Sequence, residues 1–117
     1  MKYDDLLAMP YKARGREIDG MDCYGLVIEC CRRNGQELKD ITDTAHVPAG
    51  ELLEYVKGLN AKPCEPETGC IVQCEYQNEL HIGYLIDKRT MLHMTYNGAR
   101  ITPTIAIRGA KFYKVGK

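Results

Sequence analysis

The sequence predicts an α+β fold in which N-terminal helices pack on a mostly antiparallel β-sheet. In the first half of the chain apolar residues recur at helical spacing, whereas short extended segments follow one another from residue 70 onward. Asn97-Gly98, the strongest short hairpin signal in the chain, lies between two of these segments. Helices followed by a run of strands are typical of the α+β class.

The first half of the chain contains three predicted helices. The segment "YDDLLAMPY" (3–11) predicts a short helix that a proline ends, and a loop rich in Gly, Arg and Lys follows it. The strongest helix is predicted over about 22–34, with Gly35 as its C-cap. After a polar loop, "PAGELLEYVKGL" (48–59) predicts the third helix, and residues 60–69 form a Pro-rich connection.

The second half of the chain contains five predicted strands. They are "CIVQCEY" (70–76), "LHIGYLID" (80–87), "MLHMTY" (91–96), "ARIT" (99–102) and "KFYKV" (111–115). No repeat and no separating linker divides them from the helices, so residues 1–117 are expected to form a single domain.

Composition excludes several classes of partner. Sixteen Lys and Arg balance sixteen Asp and Glu, so the net charge is zero and no field draws the chain to nucleic acid or anionic lipid. No segment reaches the length of a membrane span, and the N-terminus lacks the apolar run of a secretory signal. We therefore expect synthesis in the cytoplasm, with reduced thiols and no membrane partner.

The chain has six cysteines, none in a C-x-x-C pair. Four of the six lie among apolar residues, which favours a role as small core hydrophobes. The spacing of Cys64, Cys70 and Cys74 differs from common zinc sites, so neither a metal nor another cofactor is expected.

The stretch "GMDCYGLVIECC" (20–31) places a cysteine at a helix start. With Asp22 as N-cap, Cys23 lies in the first turn, where unpaired N–H groups and the helix dipole favour a thiolate. Gly25 leaves space for a substrate backbone to approach. The alternative is that Asp22 caps, Cys23 packs and Gly25 is incidental.

A nucleophilic thiol needs a base, and the chain has three histidines. His46 lies in the polar loop and is expected to be solvated. His81 and His93 lie symmetrically about Asp87 on two predicted strands, so a hairpin centred there places them opposite each other on one face. Two facing imidazoles are poor core filler because both nitrogens of each need partners. The pattern therefore favours a catalytic pair beside Cys23.

Several short motifs together resemble the NlpC-type family of papain-like cell-wall cysteine peptidases. The family's helix start, D-C-[SAWY]-G-[LF]-[VI], matches "DCYGLV" (22–27), and its histidine strand matches "HIGYL" (81–85). A polar residue on the next strand matches His93, and a tyrosine twelve residues before the cysteine matches Tyr11. "PETGCIVQ" (66–73) is similar to the family's entry to the first strand, so the resemblance covers about residues 11–115.

The resemblance implies a papain-like fold and a role for each matching residue. Cys23 is implied as the nucleophile, His81 as the base and His93 as the residue that orients His81. Tyr11 and the Cys23 backbone N–H are implied to hold the oxyanion, and Asp22 to face the free amine of a substrate peptide.

The chain departs from the family pattern at three places. Tyr24 replaces the common serine after the cysteine, Arg14-Gly15 replaces a Gly-Gly pair, and Glu67-Thr68-Gly69-Cys70 lacks the usual aspartate. Tyr24 either shapes the substrate pocket or packs at the base of the helix; the sequence leaves both open.

The resulting hypothesis is a hydrolase for an amide bond in peptidoglycan stem peptides, with the γ-D-glutamyl to diamino acid bond as the expected target. The absent signal suits a phage or prophage tail component, located in a virion tail or acting at the cell wall. Three alternatives remain open: a phage tail assembly module with weak or no activity, an acyltransferase with the same residues, and a metal site. The metal site would use Cys64, Cys70, Cys74 and His81.

Overall fold

A six-stranded antiparallel sheet with one α-helix packed on it makes up most of the described fold. The computed structural model describes residues 3–12, 15–17, 19–38, 61–76 and 79–115. The predicted third helix, His46 and Arg14 lie outside these residues. Within them, no helix is both long and apolar enough to cross a bilayer.

The described elements follow the predicted order of helices and then strands, apart from two short strands before α1 and a short 3-10 helix before the last strand. They are a 3-10 helix (Asp4–Ala8), β1 (Arg16–Glu17), β2 (Gly20–Met21), α1 (Cys23–Arg33), β3 (Ala61–Pro63), β4 (Ile71–Tyr76), β5 (Glu79–Asp87), β6 (Thr90–Thr95), β7 (Gly98–Pro103), a second 3-10 helix (Thr104–Ala106) and β8 (Arg108–Val115). The predicted α+β class is therefore confirmed for the described part of the chain.

Both ends of α1 have the caps that the sequence predicts. At the N-terminus the Asp22 side chain accepts a hydrogen bond from the backbone N–H of Gly25 at 2.7 Å. At the C-terminus Gly35 adopts φ +72°, and its N–H donates to the Arg32 carbonyl. The N–H of Gln36 donates to the Cys31 carbonyl, which completes a Schellman motif.

The first forty residues contain a feature that the sequence did not predict. The predicted loop after the first helix includes a small antiparallel pair, in which Arg16 faces Met21 and Glu17 faces Gly20. Each strand has only two residues, too few to show an alternating pattern. The turn depends on a close backbone approach, because a Cβ on Gly15 would overlap the Gly20 carbonyl.

The large sheet has the strand order β3-β8-β4-β5-β6-β7. The C-terminal strand β8 returns to the middle of the sheet and pairs with both β3 and β4. β3 lies in the predicted Pro-rich connection and forms one edge, where Pro63 is tolerated because an edge strand needs no second ladder.

Side chains are buried on both faces of the sheet. One face packs against Leu26, Val27 and Cys30 of α1 and contributes the buried side chains of Ile71, Ile82, Tyr84, Leu92 and Met94. The opposite face carries a smaller cluster formed by Cys70, Val72, Cys74, Leu85 and Met91. In β4, accordingly, the first four residues are all buried.

The turn between β5 and β6 corrects the predicted histidine register. Asp87 pairs with Thr90 around a two-residue turn, and the register then shifts before Leu85 pairs with Met91. Extending this register along the strands places His93 opposite Gly83, with His81 diagonal to it. The predicted direct pairing is therefore wrong because the turn lies at residues 88–89 and is not centred on Asp87, while the bulge brings the offset back to two residues. The two histidines nevertheless share one face, since the shift amounts to two residues.

The hairpin predicted at Asn97-Gly98 is confirmed, but its two-residue loop lies one residue earlier in the chain. Thr95 pairs with Gly98, so Tyr96 and Asn97 form the loop, and Gly98 takes the positive φ of +108°. The Thr95 hydroxyl accepts from the Asn97 N–H and donates to the Gly98 carbonyl.

We expect Gly83→Ala to lower the free energy of unfolding by about 1–3 kcal/mol. A Cβ at this position would overlap Cγ and Sδ of Met91 and lie 3.2 Å from Cβ of His93. Urea unfolding of both proteins measures the change. The control combines Gly83→Ala with Met91→Ala: relief of the overlap should make the double substitution cost less than the sum of the two singles. Simple additivity would contradict this explanation.

Candidate active site

Cys23 is the first residue of α1 and is partly buried. β2 ends one residue before the Asp22 cap, and α1 begins directly after it, so the backbone on both sides fixes the position of Cys23. Backbone N–H groups of Ile82, Tyr24 and Cys23 itself favour the thiolate. The predicted placement of Cys23 at a helix N-terminus is therefore confirmed.

The acidity of this thiol is opposite to the expectation. Burial, and then the neighbouring Asp22 carboxylate, raise the pKa of Cys23 to about 11. These two effects outweigh the backbone N–H groups, because desolvation and a like charge both penalise the anion. Without a substrate, Cys23 is thus a neutral thiol near pH 7.

His81 and His93 form a hydrogen-bonded pair. Nε2 of His81 lies 2.8 Å from Nδ1 of His93, and Nε2 of His93 lies 2.7 Å from Oγ1 of Thr102. When each Nε2 donates along this series, the lone pair of His81 Nδ1 is left to accept a proton. In this tautomer His93 acts on His81 as an acceptor that orients the ring.

Both imidazoles are neutral at pH 7. Burial is the main cause that lowers the pKa of His81 to about 4, and repulsion from a protonated His93 lowers it further. Burial, and then the Arg100 guanidinium, lower the pKa of His93 to about 4. Arg100 is the register partner of His93 on β7.

Tyr76, the last residue of β4, packs against both histidines. Its ring stacks on His81 with centroids 5.1 Å apart and meets His93 edge-on at 4.9 Å. Tyr76 and Thr102 were missed by the sequence analysis. Their contribution depends on which strands are neighbours and in which register, and no local sequence signal carries that information.

Two observations relate the position of Cys23 to that of His81. The sulfur lies near the N–H of Ile82, the residue directly after His81. Burial is the main cause of the raised pKa of Cys74, and the Cys23 thiol raises it further. Cys74, on β4, is the register partner of His81. The hydrogen bonds of the described residues include none between Cys23 and His81, whose Nε2 is bonded to His93. These contacts join Cys23 to the strand that carries His81, and Nδ1 of His81 is the ring nitrogen that can accept a proton when Nε2 donates to His93.

The other three predicted site residues lie around the start of α1. Tyr11 forms an isolated parallel bridge with Met21 and packs its ring on Tyr96 at 4.9 Å. Asp22 is the N-cap and is partly buried. Tyr24 is only 3% exposed and belongs to the core. Its burial favours packing at the helix base, one of the two interpretations that the sequence left open, and its role in substrate binding stays a prediction.

The metal site that the cysteine cluster suggested does not form among the described residues. Cys64 and Cys70 are close together, but no three His, Cys, Asp or Glu side chains in the described part of the chain are arranged to hold an ion. Cys74 and His81 lie across from each other on β4 and β5.

A comparison with protein-family models identifies the family of this chain. The model of the NlpC/P60 family matches residues 8–112, so the chain belongs to that family. Its members are in general cell-wall peptidases or amidases and typically cysteine peptidases. A search of curated proteins finds no match.

We expect Asp22→Asn to lower the pKa of Cys23 below about 11 and to speed its alkylation by iodoacetamide at pH 8. The amide keeps an oxygen that can accept from the Gly25 N–H, while the negative charge that opposes the thiolate is removed. Peptide mass spectrometry across a pH series measures labelling at Cys23 separately from the other five cysteines. A wild-type labelling curve that levels off below pH 8.5, or equal rates in the two proteins, would contradict the raised pKa.

We expect the free energy of unfolding to fall by roughly 5 kcal/mol as pH drops from 7.5 to 4.5, about half of it from each histidine. An unfolded histidine binds a proton near pH 6.5, whereas His81 and His93 resist protonation down to about 4 when folded. Between these values the unfolded chain binds more protons, so lower pH favours unfolding.

Urea unfolding at several pH values measures this dependence. His81→Gln combined with His93→Gln should flatten the curve between pH 6.5 and 4. The carboxylates contribute equally to the pH dependence of both proteins, so the difference between the two curves measures the contribution of the histidine pair. Identical slopes in both proteins would contradict the assignment.

Proposed function

We propose that this protein is a papain-like cysteine peptidase that hydrolyses an amide bond in peptidoglycan stem peptides, with residues 1–117 acting as one domain. The main support is the combination of a hydrogen-bonded His81–His93 pair with a helix-start cysteine that contacts the backbone of Ile82, in a chain of the NlpC/P60 family. A thiol and an imidazole oriented by a third group are the minimum for nucleophilic catalysis by cysteine.

In the proposed mechanism His81 Nδ1 takes the Cys23 proton as the sulfur attacks the substrate carbonyl. Because the resting thiol has a raised pKa, the proton leaves during attack rather than beforehand. His93 accepts from Nε2 of the resulting imidazolium, and Tyr76 stacks on the same ring. His81 then returns the proton to the leaving amine. Water hydrolyses the thioester, and the free thiol is restored.

The substrate contacts in this proposal come from the start of α1. The Cys23 backbone N–H and Tyr11 hold the oxyanion, because a helix N-terminus stabilises developing negative charge. The Asp22 carboxylate faces the free amine of the stem peptide, whose positive charge complements it. The proposed target is the bond between D-glutamate and the diamino acid, cleaved at the cell wall.

Two observations favour the alternative of a phage tail assembly module with little activity. The thiol is not acidified, and the described contacts include no hydrogen bond from Cys23 to His81. Such a module would keep the fold and bind other tail proteins in the virion. An acyltransferase would use the same thioester and differ only in the acceptor that resolves it.

Digestion of purified peptidoglycan, followed by chromatography and mass spectrometry, tests the proposal. We expect wild type to release stem-peptide fragments and Cys23→Ala to lose activity by at least about 10³-fold. His81→Ala should lose a comparable amount, and His93→Gln less, because it acts through His81. Cys64→Ala is the matched control, since Cys64 lies outside the proposed site.

The products separate the competing functions. A new carboxylate and amine at one bond support hydrolysis, whereas transfer of the acyl group to an added amine supports the acyltransferase. Equal product from wild type and Cys23→Ala would remove the enzymatic proposal. No product from a wild-type protein with a cooperative melting transition would favour the assembly module.

A further inference from the structure

Two cysteines outside the proposed active site flank the connection between β3 and β4. Cys64 follows β3 directly, and Cys70 directly precedes β4. Their sulfur atoms lie 2.9 Å apart. This separation is only about 0.9 Å longer than a covalent S–S bond.

The sheet fixes both of these cysteines in place. The N–H of Cys64 donates to the Phe112 carbonyl on β8 at 3.0 Å, and the Leu85 N–H on β5 donates to the Cys70 carbonyl at 2.9 Å. Gly69 takes φ +94° just before Cys70, a conformation that suits glycine. The two sulfurs therefore meet because separate strands anchor the two ends of the loop.

One of the two thiols is accessible to a small reagent. Cys64 is partly exposed and lines a surface cavity of about 720 Å³, whereas Cys70 is fully buried. Lys62 and Lys114 line the same cavity, with Glu67 paired to Lys114 at 3.3 Å. A small anionic disulfide thus has room and a cationic rim near Cys64.

We propose that Cys64 and Cys70 form an intramolecular disulfide by exchange with a small-molecule disulfide such as oxidised glutathione. The Cys64 thiolate attacks one sulfur of the reagent, and one glutathione thiolate leaves. The Cys70 thiolate then attacks the Cys64 sulfur of this mixed disulfide and releases the second glutathione. The two protein thiols lose two electrons and two protons, and one oxidised glutathione becomes two reduced molecules.

The surroundings of Cys64 set the pH dependence of this exchange. Burial, and then the hydrogen bond with Cys70, raise the pKa of Cys64 to about 12. Glu67 and the Cys70 thiol oppose the thiolate, and Lys114 favours it. Exchange is therefore slow near pH 7, and below the pKa its rate rises about tenfold for each unit of increase in pH, because the rate follows the thiolate fraction.

The disulfide closes a short loop and constrains the unfolded chain more than the folded one. We expect the oxidised protein to melt several degrees higher than the reduced protein. Because Cys23 takes no part, the effect is independent of the proposed peptidase activity.

Oxidised glutathione, applied to the full chain at pH 8.5 and quenched with N-ethylmaleimide, tests the proposal. Cleavage after Glu67 separates Cys64 from Cys70, so the disulfide appears as two linked peptides that a reductant releases. We expect this product in wild type, with Cys74 alkylated and the melting temperature raised. Cys64→Ala should abolish both the linked peptides and the rise, while Cys74→Ala should retain them.

Three results would overturn the proposal. One is a stable glutathione adduct on Cys64 with Cys70 still alkylated. Another is a bond between Cys70 and Cys74, or between Cys23 and Cys74. The third is linked peptides without any rise in melting temperature, which would contradict the proposed effect on stability.

Discussion

The antiparallel register between β5 and β6 is the constraint on which the proposed site depends. A two-residue turn and one bulge offset the strands so that His93 faces Gly83 and His81 lies diagonal to it. Only glycine fits opposite His93 without overlapping Met91. Rings in a diagonal arrangement can meet through nitrogen atoms, as His81 Nε2 and His93 Nδ1 do at 2.8 Å. A one-residue slip would send one histidine to the other face of the sheet.

Burial gives this site both its geometry and its resting chemistry. The same packing that aligns the imidazoles lowers their pKa to about 4 and raises that of Cys23 to about 11. A thiolate–imidazolium pair is thus disfavoured in the free protein. Charge separation has to develop when a substrate supplies the electrophile, so rigid placement of His81 matters more than prior acidity of the thiol.

The six cysteines illustrate how one residue type takes different roles in different surroundings. Cys30 and Cys31 are fully buried on α1 and pack in the main core. Cys23 lies at the N-terminus of the same helix, where burial and then the Asp22 cap raise the pKa of its thiol. Cys64 and Cys70 meet because the two ends of one loop are anchored to separate strands. Burial, helix position and strand pairing thus separate these roles.

The sequence by itself determined the features that depend on near neighbours in the chain. These include the bounds of α1 to within a residue, the Asp22 cap, the hairpin near Asn97 and the common face of His81 and His93, because caps, turns and alternation are local. The tertiary structure alone decided the central place of β8, the diagonal histidine register, the contacts of Tyr76 and Thr102, and the burial of Tyr24. It also reversed the expected acidity of Cys23, because desolvation depends on everything packed around a group, and the helix start is only one part of that environment.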